Sequence, residues 1–171
     1  MKLLWKRSLL YLIPLFWHGG LHASELSPHY EQADQVVVIK SERTLYLFKD
    51  GEILRSFNVA LGLVPDGPKR REGDFRTPEG SYYLETKNRD SNYFLSIKIS
   101  YPNAEDIVRA RSTGVSPGGQ IMIHGQPNEP TYSAIRYQGL DWTDGCIAVS
   151  NSDMIDIWLM TGDSTPIDIR P

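Results

Sequence analysis

One cysteine, Cys146, and one histidine outside the N-terminal thirty residues, His124, are the side chains of this chain best suited to nucleophilic chemistry. A thiol with an ordinary pKa of about 8.5 is mostly protonated at neutral pH. An imidazole within reach can take that proton and leave the thiolate, which is the attacking species. The plainer readings of the two residues are a small buried hydrophobe and a satisfied polar side chain. The surroundings of the cysteine favour chemistry. Cys146 closes the run Asp141-Trp142-Thr143-Asp144-Gly145-Cys146, in which Gly145 permits close approach of backbone or substrate and Thr143 with Asp144 are odd company for an inert core sulfur. Other chemistries are poorly represented. There is no recognisable zinc set and no phosphate loop, so no metal and no organic cofactor is called for, and Lys87, Asp90 and Glu105 read as surface charges and not as a glycosidase acid/base pair.

Such a pair needs rigid elements to hold it, and the chain offers mostly strands. Runs rich in β-branched and aromatic residues span 35–40, 44–48, 53–61, 81–85, 94–100, 120–123, 147–149 and 165–169, with Gly or Pro near most ends, and Asp50-Gly51 between two apolar runs signals a hairpin. Two short helices are predicted. One covers 104–111, with Asn103 as cap and Asp106 three residues on. The other covers 151–160, behind a capping-box-like Ser150-Asn151-Ser152-Asp153 and with Ile155, Trp158 and Leu159 as its buried stripe. The expected fold is therefore mainly β, with two or so short helices. His124 ends one strand and Cys146 precedes another, so neighbouring strands would bring them together. The stretch Gly125 to Gly145 between them is long for a compact domain and reads as a lid over a cleft.

Length and composition agree with one domain. The chain has 171 residues, 40% hydrophobic and 23% charged, enough for a single core. A net charge of -3 argues against general nucleic-acid binding, which calls for an excess of Lys and Arg on one face. Residues 1–23 read as a secretory signal, with Lys2, Lys6 and Arg7 before the apolar run 9–17. Cleavage is expected after Ala23, and because Leu21 is larger than the usual small residue there, an uncleaved anchor is the alternative. Any membrane contact would run through this segment alone. Residues 24–35 read as a short lead-in and 36–171 as the domain expected to carry the catalysis. Export sharpens the significance of Cys146, since a lone thiol in an oxidising compartment has no partner in its own chain.

Ile121-Met122-Ile123-His124-Gly125, followed by Thr143-Asp144-Gly145-Cys146-Ile147 and Asn151, resembles the active-site signature of the YkuD-type L,D-transpeptidases, and Gly73-Asp74-Phe75-Arg76-Thr77-Pro78-Glu79-Gly80 resembles that family's Thr-Pro-x-Gly turn. The resemblance implies a β-sandwich or open barrel and a Gram-negative periplasmic enzyme acting on peptidoglycan stem peptides. Cys146 would attack the carbonyl between diaminopimelate and a terminal D-alanine. The thioester would then pass to a stem amine as a 3-3 cross-link, or to an outer-membrane protein as an anchor. Hydrolysis by a carboxypeptidase or a protein-releasing amidase of the same fold is an alternative, as is a non-catalytic peptidoglycan-binding relic. Within the resemblance His124 is the general base, and the Gly125 carbonyl orients it, with the Asp141 side chain as a rival. The Gly145 and Cys146 amides are the oxyanion donors.

Two positions depart from the common pattern of that family. Asp144 stands where a second histidine is usual, and its charge would oppose a thiolate; Ala148 stands where arginine is frequent, which removes a carboxylate clamp. Substitutes for the clamp are sought in Arg76, in Lys69-Arg70-Arg71 or in Arg109 and Arg111, against the plainer reading of 69–71 as a solvated basic loop. Substrate contacts are expected from Trp142, Thr143, Asp144, Arg76 and Asn151, whereas Tyr82, Tyr93 and Tyr101 are expected to pack in the core or on strands.

Overall fold

The computed structural model describes residues 30–171. The signal segment and the first half of the lead-in lie outside the described residues. The elements in chain order are β1 (Gln35–Ile39), β2 (Thr44–Lys49), β3 (Glu52–Asn58), β4 (Gly80–Ser91), β5 (Phe94–Ile99), α1 (Ala104–Ser112), β6 (Met122–His124), α2 (Ala134–Gly139), β7 (Ile147–Ala148), α3 (Asn151–Met160) and β8 (Pro166–Arg170). The eight strands form one sheet in the order β3-β2-β1-β8-β4-β5-β6-β7. The mainly β architecture expected from the sequence is present.

Local chemistry accounts for the first half of the sheet. β2 and β3 meet at Asp50-Gly51, both at positive φ (51° and 83°), the geometry of a two-residue hairpin turn whose twist matches the strands. β1 lies between antiparallel β2 and parallel β8, so its Val36, Val37 and Val38 are buried on both faces. β4 runs on well past the expected strand and joins the two halves. Its residues 80–83 pair with β8 and its later residues pair with β5, with register breaks after Leu84 and after Asn88 where the strand bends.

The second half carries the chemistry. β5 pairs antiparallel with β6, and β6 pairs parallel with the two-residue β7. The chain leaving β3 then returns to the far edge. Ala60 and Ala148 exchange N–H···O bonds of 2.8 Å in both directions, and Gly62 bridges Thr143. That contact curls the sheet towards a barrel and leaves β7 no free edge where it holds the site.

The helices bring one correction and one addition. α1 starts on the predicted capping box. Asp106 N–H donates to Asn103 Oδ1 (3.0 Å), Asn103 N–H donates to Asp106 Oδ2 (3.1 Å), and the buried Asp106 also accepts from Tyr82 Oη (2.9 Å). α3 begins as expected, with Ser150 Oγ accepting from Asp153 N–H, but the buried stripe is Met154, Ile157 and Met160, while Ile155 and Leu159 are 42% and 40% exposed. The helix is apolar nearly all round, so sequence periodicity left its rotation undetermined and packing on β5 selected the face. The addition is α2, one short helix inside the expected lid. No helix among the described residues is long and apolar enough to cross a membrane.

Candidate active site

Strand alternation presents the two reactive groups together. Ile123 lies opposite Ile147 in the parallel β6–β7 pair, both 0% exposed, which turns the flanking Met122, His124 and Cys146 towards the other face. His124 is buried at 4% exposure, covered by the Tyr93 ring at 4.6 Å and met edge-on by Trp142 at 5.6 Å. Its Nδ1 lies 2.7 Å from the Gly125 carbonyl oxygen. Since that oxygen can only accept, Nδ1 carries the hydrogen and Nε2 of the neutral ring keeps its lone pair. Burial pushes the imidazole pKa below its ordinary value, and the bond to Gly125 partly offsets that.

The rival orienting group is elsewhere. Asp141 accepts from Arg43 Nη2 (2.8 Å) and from Leu61 N–H (2.8 Å), and so pins the incoming chain to β3's continuation. Asn151, expected to contact substrate, serves the backbone behind the imidazole. Its Oδ1 accepts from Gln126 N–H (2.7 Å) and stands where a Cβ on Gly125 would come within 2.6 Å, so position 125 has room for glycine alone.

Cys146 is partly buried. Its thiol donates to the Gln120 carbonyl at 3.5 Å, and among the described residues it makes no hydrogen bond to His124. The reason is local: Gln120 takes a positive φ (58°) just before β6 and aims its carbonyl at the sulfur. Burial pushes the thiol pKa up and the exposed Asp144 adds to that, while the Met122 backbone and the Lys69 charge act the other way. At rest, the two shifts together favour a thiol and a neutral imidazole over an ion pair.

The turn before the sulfur corrects a second expectation. Gly145 N–H, expected to be an oxyanion donor, donates to Thr143 Oγ1 (3.1 Å), and Thr143 Oγ1 in turn donates to the Cys146 carbonyl (2.7 Å). Thr143, expected to contact substrate, is thus a buried turn-former at the edge of the cleft, and the Gly145 amide is already engaged. Gly145 sits at φ +128°, with the Arg76 carbonyl 2.6 Å from where a Cβ would be. Arg76 therefore packs its backbone carbonyl closely against the turn. It does not line the cleft, and its guanidinium lies near Gly67.

Sulfur and imidazole open into one cleft of about 720 Å³, bordered by Trp142, Thr143 and Asp144 and by a loop that carries Lys69, Glu72 and Phe75. The 69–71 run is not uniformly solvated. Arg70 and Arg71 are exposed, but Lys69 is 3% exposed and paired with Asp74 at 2.8 Å. Arg109 is held by Asp106 on α1, away from this cleft. Tyr93, expected to be a packing residue, covers His124 and lines the cleft, while Tyr82 and Tyr101 are buried in the core as expected. Of the cleft residues, Lys69 is one of the clamp candidates weighed from the sequence, whereas Glu72, Phe75 and Gln120 have no role assigned there and Tyr93 reads as packing. Phe75 and Gln120, both at positive φ, border it, which is the backbone strain that functional sites tend to hold.

The long loop is expected to be a lid over the cleft, but its residues 127–137 line a neighbouring cavity instead, because aromatic contacts tie it to the outer side of Trp142. Trp142 Nε1–H donates to the Tyr137 carbonyl on α2 (3.0 Å), and the two rings lie 5.0 Å apart. Tyr132 packs edge-on to Tyr137 at 5.8 Å. A second cavity of about 580 Å³ lies beyond Tyr93 and Trp142, which separate it from the first.

Comparison with known proteins bears on this geometry. The family model described as the L,D-transpeptidase catalytic domain, YkuD, matches residues 33–169. YafK of Escherichia coli (strain K12), provisionally named an L,D-transpeptidase, is 35% identical over 146 residues, covering 76% of this chain and 57% of that protein. The crystal structure of the helical cell shape determining protein Pgp2 from Campylobacter jejuni superposes with a TM-score of 0.57 at 28% identity, over 78% of this chain and 46% of that one. The L,D-transpeptidase of Enterococcus faecium, as its C442S mutant, shares the fold with a TM-score of 0.53 at 16% identity, over 81% of this chain and 50% of that one. The chain spans about half the length of the relatives it matches.

Proposed function

This chain belongs to the YkuD family of L,D-transpeptidase catalytic domains, and from that premise we propose that it is a periplasmic cysteine transpeptidase acting on peptidoglycan tetrapeptide stems. The observation that carries the reading is the shared cleft. A thiol just before β7 and an imidazole at the end of β6, the latter held as the Nδ1–H tautomer, line the same cavity.

The proposed reaction follows from the groups present. Substrate entering the cleft turns the Cys146 thiol from the Gln120 carbonyl towards His124, and Nε2 takes its proton as sulfur attacks the carbonyl of the diaminopimelate L-centre. The Cys146 amide is the proposed donor to the resulting oxyanion, a contribution worth about 3 kcal/mol of barrier in comparable sites. Collapse breaks the amide bond, and the departing D-alanine amine takes the proton back from His124. An acceptor amine then gives its proton to His124 and displaces the thiolate, which is reprotonated. Because burial lowers the imidazole pKa and raises the thiol pKa, proton transfer and attack are coupled in this scheme, with no preformed thiolate.

The acceptor sets the outcome: a stem amine gives a 3-3 cross-link, a protein amine gives an anchor to an outer-membrane protein, and water gives hydrolysis. Export through the N-terminal segment and a part in cell shape, as Pgp2's name states for that protein, belong to the same proposal. Incubation of the mature protein with tetrapeptide muropeptides, with and without an acceptor amine, tests it by mass of products. D-alanine release with cross-linked dimers is expected, and Cys146→Ala should lower release by about 10⁴-fold or more with the fold retained. Tripeptides alone would indicate the hydrolase, and no release at all would leave a non-catalytic binding protein.

A further inference from the structure

Resting on that function, we propose that Lys69 selects substrates with a free carboxylate next to the scissile bond, its ammonium receiving the carboxylate of the residue that leaves. Lys69 is the one lysine or arginine among the residues bordering the cleft, and the other charged borders, Glu72 and Asp144, are acids. An anionic group entering this cavity therefore has a single cation to meet.

Lys69 is also built in an unusual way for a loop lysine. Its side chain is 4% exposed, and taking an ammonium out of water costs several kcal/mol unless countercharge is supplied. Asp74 supplies it at 2.8 Å, but that carboxylate is shared. Its Oδ1 also accepts from Arg76 N–H (3.2 Å), and its Oδ2 accepts from Arg70 N–H (2.7 Å) and Arg71 N–H (3.1 Å). Asp74 takes one of the three ammonium N–H groups, and among the described residues Nζ makes no other hydrogen bond, so two donors remain for a ligand. The ammonium is held in place before any ligand arrives, which limits the entropy cost of using it.

Position supports the same assignment. The Lys69 charge acts favourably on the Cys146 thiolate, so the two share one electrostatic neighbourhood. A C-terminal residue carries its carboxylate about one residue length, roughly 3.5 Å, beyond the carbonyl under attack. A fixed cation on the cleft wall can tell that carboxylate from a continuing or amidated chain, because a carboxylate accepts charge-assisted hydrogen bonds from the two remaining N–H groups and an uncharged amide oxygen accepts weaker ones.

Binding to the full-length Cys146→Ala protein, measured by calorimetry, separates this role from turnover. The two probes are a tetrapeptide stem ending in a free carboxylate and the same peptide as its C-terminal amide. The acid is expected to bind at least about tenfold more tightly. Lys69→Met should reduce the acid to the affinity of the amide, and Lys69→Arg should keep most of the preference. In the parent with Lys69 intact, the acid-to-amide ratio should shrink as ionic strength rises from about 0.05 to about 0.5 M. A ratio unchanged by Lys69→Met, equal binding of the two peptides, or a salt-independent ratio overturns the assignment while leaving the proposed function standing. Binding of neither peptide overturns both.

Discussion

The two walls of the cleft are built on opposite principles. The β6–β7 wall is hydrogen-bonded strand anchored by Ile123 and Ile147 in the core, and burial works against charge on both reactive groups it presents. The facing wall at residues 69–75 has no strand or helix. It is folded around one carboxylate, Asp74, and presents Lys69 and Glu72. Covalent chemistry needs atoms placed to fractions of an ångström and is carried by the rigid wall, whereas charge selection tolerates a looser frame and is carried by the loop.

If that division holds, a change in each wall should fail differently. His124→Gln on the sheet wall should lower D-alanine release by about 10² to 10⁴-fold, the usual contribution of a general base, with little change in thermal midpoint. Product mass and a melting curve on the same sample check both halves. A variant that melts early would show His124 to be a structural support of the wall.

Asp74→Asn on the loop wall should do the reverse. Burial disfavours the charged carboxylate, but the Arg70 N–H, the Lys69 ammonium and the Arg71 and Arg76 N–H groups outweigh it and hold the pKa below the ordinary carboxylate value. A carboxyl whose folded pKa is depressed contributes stability that is present above its unfolded pKa and is lost as pH falls through the folded value. The variant should lose about 2 kcal/mol near neutral pH, or roughly 4–8 °C in melting temperature. The deficit should shrink in acid, where the parent loses the same contribution. A deficit independent of pH would remove the carboxylate from the account of the loop.

The same contrast explains what the sequence made legible. Asp50-Gly51, the Asn103–Asp106 box and the alternating strands are local signals, and the structure follows them. His124 and Cys146 stood out because each is nearly alone of its type, and the strand pattern was enough to bring them to one cleft. The misses are decided by tertiary contact. α2 is too short to be stable by propensity and is tied to Trp142 through Tyr137. Lys69 sits in a basic run that reads as solvated until Asp74 folds back on it. The Gly145 N–H goes to Thr143 through a hydrogen-bond direction that residue types do not encode. The rotation of α3 was hidden because apolar residues occur on nearly every side of it.

Asp144 gives the smallest and most discriminating effect, because it belongs to the sheet wall's turn yet carries charge like the loop wall. It is exposed, and it opposes ionisation of Cys146 less than burial does. In the parent, iodoacetamide alkylation of Cys146 should climb steeply only in the alkaline range, with no plateau near neutral pH, because burial and Asp144 both raise the thiol pKa. Asp144→Asn should shift that climb slightly towards neutral, increasing the rate at about pH 8 by roughly two- to threefold, the size expected of a screened surface charge. Added salt should speed the parent and leave the variant nearly unchanged. A neutral-pH plateau in the parent would mean a preformed thiolate–imidazolium pair, and the rigid wall would then be charged at rest like the loop that faces it.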